Sequence, residues 1–238
     1  MDFAIIIDNI GIYFTGLQNT VVLVSISLVL GLILAVPLAI LLNYGNKAVQ
    51  WSIRTYIYFF RGTPLLVQMF LVYYGFGQFD LIKDSFLWPF FKEAYFCALF
   101  AFTLNTGAYT AEILRGAIKA TNHGEIEAAM AAGMSKFMMI RRIILPSAFR
   151  RALPAYSNEI IFMLHGSALA SVITIVDITG AARIINSRFY SPYEAFLTAA
   201  VFYMTLTFII VFLIKRLEVR WFAHLQPQSH TSTVEAPQ

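Results

Sequence analysis

NTVVLVSISLVLGLILAVPLAILL, residues 19–42, carries no charged side chain, and only Asn19, Thr20, Ser25 and Ser27 in it are polar. It lies within a longer uncharged stretch bounded by Asp8 and Lys47. As a helix rising about 1.5 Å per residue it exceeds the ~30 Å hydrocarbon core of a bilayer, which a single helix crosses in about 20 residues. The apolar run is unbroken rather than alternating, so a barrel strand does not fit.

The rest of the chain agrees. Of 238 residues, 59% are hydrophobic and 13% charged, with a mean hydropathy of +0.70. A soluble domain carries roughly 25% charged residues and could not hide this much apolar surface. That excludes a cytoplasmic enzyme, a nucleic-acid-binding domain and a disulfide scaffold; Cys97 is the single cysteine. The acidic N-terminus, with Asp2 and Asp8 ahead of a long apolar run, does not read as a removable signal peptide.

The same count predicts an all-α membrane protein with five transmembrane helices, at about 19–42, 55–77, 94–111, 159–176 and 195–214. Residues 1–14 precede the membrane domain (15–217), and 218–238 form a tail, disordered from 226 onward. Five spans place the ends on opposite sides. With the N-terminus outside, thirteen of the seventeen Lys and Arg residues lie on the cytoplasmic side, leaving Lys83, Lys92, Arg183 and Arg188 outside. The net charge of +4 is thus a topology signal rather than a sign of nucleic acid. Pro37 should kink a packing helix, and Arg61, ahead of Gly62-Thr63-Pro64, reads as an interfacial anchor.

One hydrophilic loop, 112–158, has helical grammar. Asn122 caps a first helix, with Glu125 placed to complete a capping box. Ile126, Ala129 and Met130 share its apolar face. Gly133 stops it as a left-handed residue, and Ser135 caps a second helix that carries Phe137, Ile140 and Ile144 on one side and ends at Pro146. From pattern alone this is an amphipathic hairpin on the inner membrane surface or a plug for a partner's groove.

Glu127-Ala128-Ala129, three residues, Gly133, nine residues, then Ile143-Ile144-Leu145-Pro146 resembles the EAA loop (122–146 here) of membrane subunits of bacterial ABC importers. Arg61-Gly62-Thr63-Pro64, the run 104–112 (LNTGAYTAE) and the run 153–159 (LPAYSNE) resemble polar amino acid permeases of the histidine/lysine/arginine/ornithine group. The resemblance covers about 15–221. It implies a type I ABC importer permease fold in which Glu127, Ala128, Ala129, Gly133, Ile143, Leu145 and Pro146 belong to a coupling helix seated in a separate ATPase. It also implies a second homologous permease, two ATPase subunits, a periplasmic amino-acid-binding protein docking near 79–92 and 177–194, and a bacterial inner-membrane location. No cofactor is expected in this chain. It has no G-x-x-x-x-G-K-[ST] phosphate loop, so ATP and Mg belong to the partner ATPase.

Ionisable groups at bilayer depth are costly and mark function. Glu159 and His165 fall in the fourth span on different helix faces, and Asn105, Thr106 and Tyr109 make a polar stripe in the third. We read Asn105, Tyr109, Glu159 and His165 as the substrate pathway, with Glu159 and Asn105 facing the cationic or α-amino group of an amino acid. Two plainer readings compete: Glu159, at the start of its span, pairs with Arg150 or Arg151, and His165 is a packing residue. Several relatives carry Lys-Asp where this chain has His165-Gly166, which shifts the pocket towards a companion subunit. A glutamine or glutamate permease, and an ion-coupled carrier, are the alternative functions.

Overall fold

The structure, a computed structural model, describes residues 3–222. The tail residues 223–238 lie outside it. Among the described residues every regular element is helical: α1 (Ala4–Asp8), α2 (Ile10–Tyr44), α3 (Lys47–Gly62), α4 (Leu65–Phe70), α5 (Asp80–Lys83), α6 (Trp88–Phe91), α7 (Ala94–Lys119), α8 (His123–Ala131), α9 (Lys136–Met139), α10 (Leu145–Gly166), α11 (Ile178–Phe189) and α12 (Pro192–Phe222).

The helices do not map one to one onto the expected spans. α2 begins at Ile10, not residue 19, and runs through Pro37 as one helix of 35 residues. The N-terminal residues are not an outlying segment: Ile6 of α1 and Tyr13 of α2 are buried against α11 and α12. The segment expected at 55–77 is divided. Pro64 disfavours helical backbone at Thr63, which is extended (ψ 146), so α3 ends there and α4 restarts beyond it, running on through a wide π turn (Leu71–Gly75). The third helix, α7, extends to Lys119.

The fourth departs most. Glu159 does not open a helix; it sits well inside α10, which starts at Leu145 and passes into a 3-10 stretch (Ser167–Ile173). Pro146 does not end the preceding helix either. A proline in a first helical turn loses no hydrogen bond, and the π turn Ile140–Ile144 just ahead widens the backbone where the ring would clash. α2 and α12 are each long and apolar enough to cross a membrane, and 136–173 with 178–189 passes as one span bent by 44°.

α7 is the hub, packing on α2, α3, α4 and α10. Its main partner is α2, six of whose ten buried residues are small: Gly16, Thr20, Ser27, Gly31, Ala35 and Ala39. Without a hydrophobic drive between helices in lipid, such residues let backbones come close enough for dispersion to hold them. At the crossing, a Cβ on Gly31 would stand 2.4 Å from the Thr106 methyl and 3.2 Å from the Gly107 nitrogen. A Cβ on Gly16 would meet the Asp177 carbonyl oxygen at 2.6 Å.

That second contact clamps the 174–177 link. Asn19 donates to the Val176 carbonyl (2.8 Å), and the Ile178 N–H donates to Thr20 (3.2 Å). Asp177, wholly buried, caps α11 by accepting from the Gly180 N–H (2.7 Å) and from the Tyr203 hydroxyl (3.0 Å). The region expected as an outer loop, 177–194, is therefore mostly α11, packed between α2 and α12.

The steric data rank three substitutions. Gly16→Ala pushes against backbone and should cost about 1–3 kcal/mol, Gly31→Ala less because Thr106 can turn away, and Gly11→Ala, with open space around it, close to nothing. Thermal unfolding in detergent checks the order; equal midpoints for Gly16→Ala and Gly11→Ala contradict it.

Candidate translocation cavity and coupling knob

The α3–α4 break leaves backbone groups without helical partners, and Gln68 collects them. Its side-chain nitrogen lies 2.8 Å from the Phe60 carbonyl, 2.9 Å from the Thr63 carbonyl and 2.8 Å from the Thr63 hydroxyl, while its oxygen accepts from Asn105 of α7 at 2.9 Å. Asn105 also reaches the Phe60 carbonyl at 3.3 Å. A buried amide thus splices a broken helix to the hub. Gln68 escaped the sequence reading, although it is the one polar residue in the run 65–72 (LLVQMFLV), directly after a proline break.

This splice holds open a cavity of about 550 Å³, lined by Arg61, Thr63, Asn105, Tyr109, Glu159 and Phe162 among others. Three of the four residues read as a substrate pathway, Asn105, Tyr109 and Glu159, therefore share one space. His165 does not join them; it is exposed, with its Nε2 3.2 Å from the Thr207 hydroxyl of α12. Glu159 is 6% exposed. Thr106 lies beside its carboxylate, and Arg61 supplies the neighbouring positive field. Arg151 is not its partner. That guanidinium instead ties α10 to the end of α7, donating to the Ala117 carbonyl (3.2 Å), Ser147 (2.8 Å) and Thr121 (2.8 Å).

Arg61 differs most from its reading as an interfacial anchor. It turns into the cavity, its guanidinium carbon 5.2 Å from the centroid of the Tyr109 ring, and the Tyr109 hydroxyl donates to its carbonyl at 3.5 Å. Among the described residues Arg61 and Glu159 do not close into an ion pair. A cation and a carboxylate held apart across a space of this size leave both available to a guest of opposite polarity.

The EAA segment forms a compact knob. Asn122 caps α8 through the Gly124 N–H (3.0 Å); the reciprocal Glu125 bond is not made. Gly133 (φ +72) ends α8 with the Met134 N–H on the Ala129 carbonyl and the Gly133 N–H on the Met130 carbonyl, the double bond of a Schellman turn. Ser135 caps α9 through the Met138 N–H. Ala129, Met139 and Ile144 are buried, with Ile143 and Leu145 packed around them. Of the apolar stripes, Ala129 and Ile144 turn inward with Met139, whereas Met130 (57% exposed) and Phe137 (73%) point outward. Glu127 and Ala128 are exposed, and Pro146 lies exposed at the start of α10. The described residues hold no cluster of three metal-ligating side chains.

A cavity with an arginine and a glutamate at a helix break, in an all-helical chain with helices long enough to cross a membrane, fits a membrane transport subunit. Residues 27–222 match the family model described as "Binding-protein-dependent transport system inner membrane component", and the chain belongs to that family. It is 48% identical over 220 residues to the histidine/lysine/arginine/ornithine transport system permease protein HisM of Escherichia coli (strain K12), covering 92% of each chain. It is 45% identical to the nopaline transport system permease protein NocM of Agrobacterium fabrum, covering 88% of each. Among solved structures, an amino acid ABC transporter with histidines matches with a TM-score of 0.82 at 33% identity, over 92% of this chain and 99% of that one. The inward-facing methionine transporter MetNI matches with a TM-score of 0.75 over 89% of this chain and 96% of that one; at 17% identity it speaks for the fold alone. The fold is that of the type I ABC importer permeases, and the chain is a transport component rather than an enzyme.

Gln68→Leu should leave the Thr63 carbonyl unpaired and the Phe60 carbonyl and Asn105 amide with only their 3.3 Å contact to each other, costing about 1–3 kcal/mol for a group left buried without a partner. A thermal midpoint in detergent unchanged from wild type counters this account of the break.

Proposed function

We propose that this chain is the permease half through which a cationic amino acid (histidine, arginine, lysine or ornithine) enters the cytoplasm by alternating access. The observation that carries the reading is the cavity in which Glu159 and Arg61 face one space without neutralising each other. Glu159 and Asn105 take the ammonium or cationic side chain; Arg61 and Tyr109 take the carboxylate end. A permease named for histidine, lysine, arginine and ornithine, identical at nearly half of its aligned positions, supports that substrate class. His165, bonded to α12 outside the cavity, becomes a packing residue in this reading.

Energy enters at the knob. ATP and Mg are bound by two copies of a separate ATPase, and its cleft receives α8 and α9, with Glu127 and Ala128 at the contact and Met130 and Phe137 as apolar anchors. Exposed large apolar residues on a small projection are the expected mark of such a docking point. Gly133 fixes the bend between the two helices. A second, homologous permease completes the pathway, and a periplasmic binding protein delivers substrate at the surface formed by 79–92 and α11. The positive-inside balance sets the N-terminus outside and the C-terminus in the cytoplasm, giving five crossings of a bacterial inner membrane once α3 with α4 and α10 with its 3-10 extension are each taken as one.

Two experiments test this. In vesicles holding the complete transporter, Glu159→Gln should lower arginine uptake at least about ten-fold, the scale of one lost charge-assisted bond; unchanged uptake refutes the assignment. Phe137→Asp should abolish co-purification of the ATPase while the two permeases remain together, and retention of the ATPase refutes the docking surface.

A further inference from the structure

The central cavity does not end at Arg61. On the α3–α7 side it adjoins a groove of about 250 Å³ lined by Arg54, Ile57, Tyr58, Arg61, Glu112 and Arg115, so Arg61 belongs to both spaces. The helical repeat explains the alignment: Arg54, Tyr58 and Arg61 follow one another at spacings of four and three on α3, as Glu112 and Arg115 do at three on α7. α3 runs towards the break and α7 away from it, so Arg54 and Arg115 lie nearer than Arg61 to the ends of the helices that lead to the knob.

The charges in this groove do not balance. Glu112 is taken by Arg115 through both carboxylate oxygens, Nε to Oε2 at 2.8 Å and a second bond from the terminal nitrogen. No other carboxylate among the described residues comes within ion-pair distance of Arg54 or Arg61. Arg54 and Arg61 feel the Glu112 carboxylate but are not ion-paired with it, so with Arg115 bound the groove keeps two surplus positive charges and opens to the surface at the exposed Tyr58. Guanidinium forks match carboxylate and phosphate geometry, and a partly screened surplus of this kind favours an oxyanion guest.

We infer that the α3–α7 groove is a second, transient site for the α-carboxylate of the amino acid on its way out, with Arg54 as the receiving group. The inference rests on the cavity being the substrate site. On release, the carboxylate leaves Arg61 and is taken up by Arg54 about two turns away on α3, while Glu112, by neutralising Arg115, leaves the groove with two rather than three net positive charges and keeps it from trapping the anion. A headgroup phosphate of an anionic lipid would present the same oxyanion chemistry, and the test separates the two sources.

Vesicles of the complete transporter, loaded inside with ATP and either L-arginine or its α-carboxamide, report on the carboxylate directly. Lumenal arginine should slow the initial uptake of labelled arginine at a concentration about ten-fold below that of the carboxamide, one charge-assisted bond being at stake. R54Q should shrink that difference to the share that Arg61 supplies from the cavity and R54K should restore part of it, in complexes that co-purify with the ATPase as wild type does. A difference undiminished in R54Q, or no discrimination in the wild type, overturns the inference. So does a wild-type uptake rate that depends on the phosphatidylglycerol content of the vesicles while that of R54Q does not, because the groove then holds lipid. Loss of uptake in Glu159→Gln alongside an intact carboxylate preference in R54Q removes this site alone; full uptake in Glu159→Gln removes the cavity reading on which it stands.

Discussion

Inside a bilayer no water is at hand to satisfy a stray peptide group, and every irregularity in this chain is governed by that constraint. The α3–α4 break would be prohibitive if the Phe60 and Thr63 carbonyls faced lipid. They instead meet the Gln68 amide, which is held in turn by Asn105 on the central helix. The 174–177 link obeys the same rule: Asn19 and Thr20 reach across from α2, and Asp177 caps the next helix. Thr174, in this link, adopts a left-handed conformation (φ 74) that is costly for a β-branched residue. A cavity exists here because a helix is broken, and the break is tolerated because two amides and a proline make it a defined joint.

Small residues supply the second requirement. The α2–α7 crossing is close enough that Gly31 and Gly107 pack backbone on backbone, and Tyr56 of α3 donates to the Leu104 carbonyl at 2.6 Å beside it. α2, α3 and α7, the last two of which line the cavity, thus share short-range contacts rather than long flexible side chains. Arg61 and Glu159 can then be held apart across open space, because neither is needed to hold the helices together.

Class, membrane residence and the coupling loop were legible from sequence because each rests on local pattern: an uncharged run, a capping Asn122, a stop at Gly133 and a fixed spacing to Pro146. Helix bounds were not, since apolarity marks where lipid is and not where a helix begins. Ile10–Gln18 and Leu145–Asn158 continue as helix beyond the stretches of strongest hydropathy. Asn105, Tyr109 and Glu159 line one cavity, and sequence marks them by helical spacing on α7 and by the cost of burying a carboxylate. His165 lines no part of it, six residues turning a helix to a different face. Arg61 lines the cavity beside the Pro64 break, where its place near the start of an apolar run suggests only an interfacial anchor. Gln68 needed its partners in space to be recognised.

The core around Ile144 has a mechanical meaning. Ala129 of α8, Met139 of α9 and Ala148 and Ala152 of α10 share one buried cluster with Ala35 and Leu42 of α2, Ile53 and Ile57 of α3, and Ala111 and Leu114 of α7. The projection is therefore not a tethered ball on a string but a crank forged onto its shaft. A close-packed interior barely compresses, so a displacement imposed on α8 has no slack to absorb it before it reaches the helices that frame Glu159. Lever and load are parts of one solid piece, and the compliance that a two-state machine requires must lie in the wide and narrow turns flanking α4 and α10.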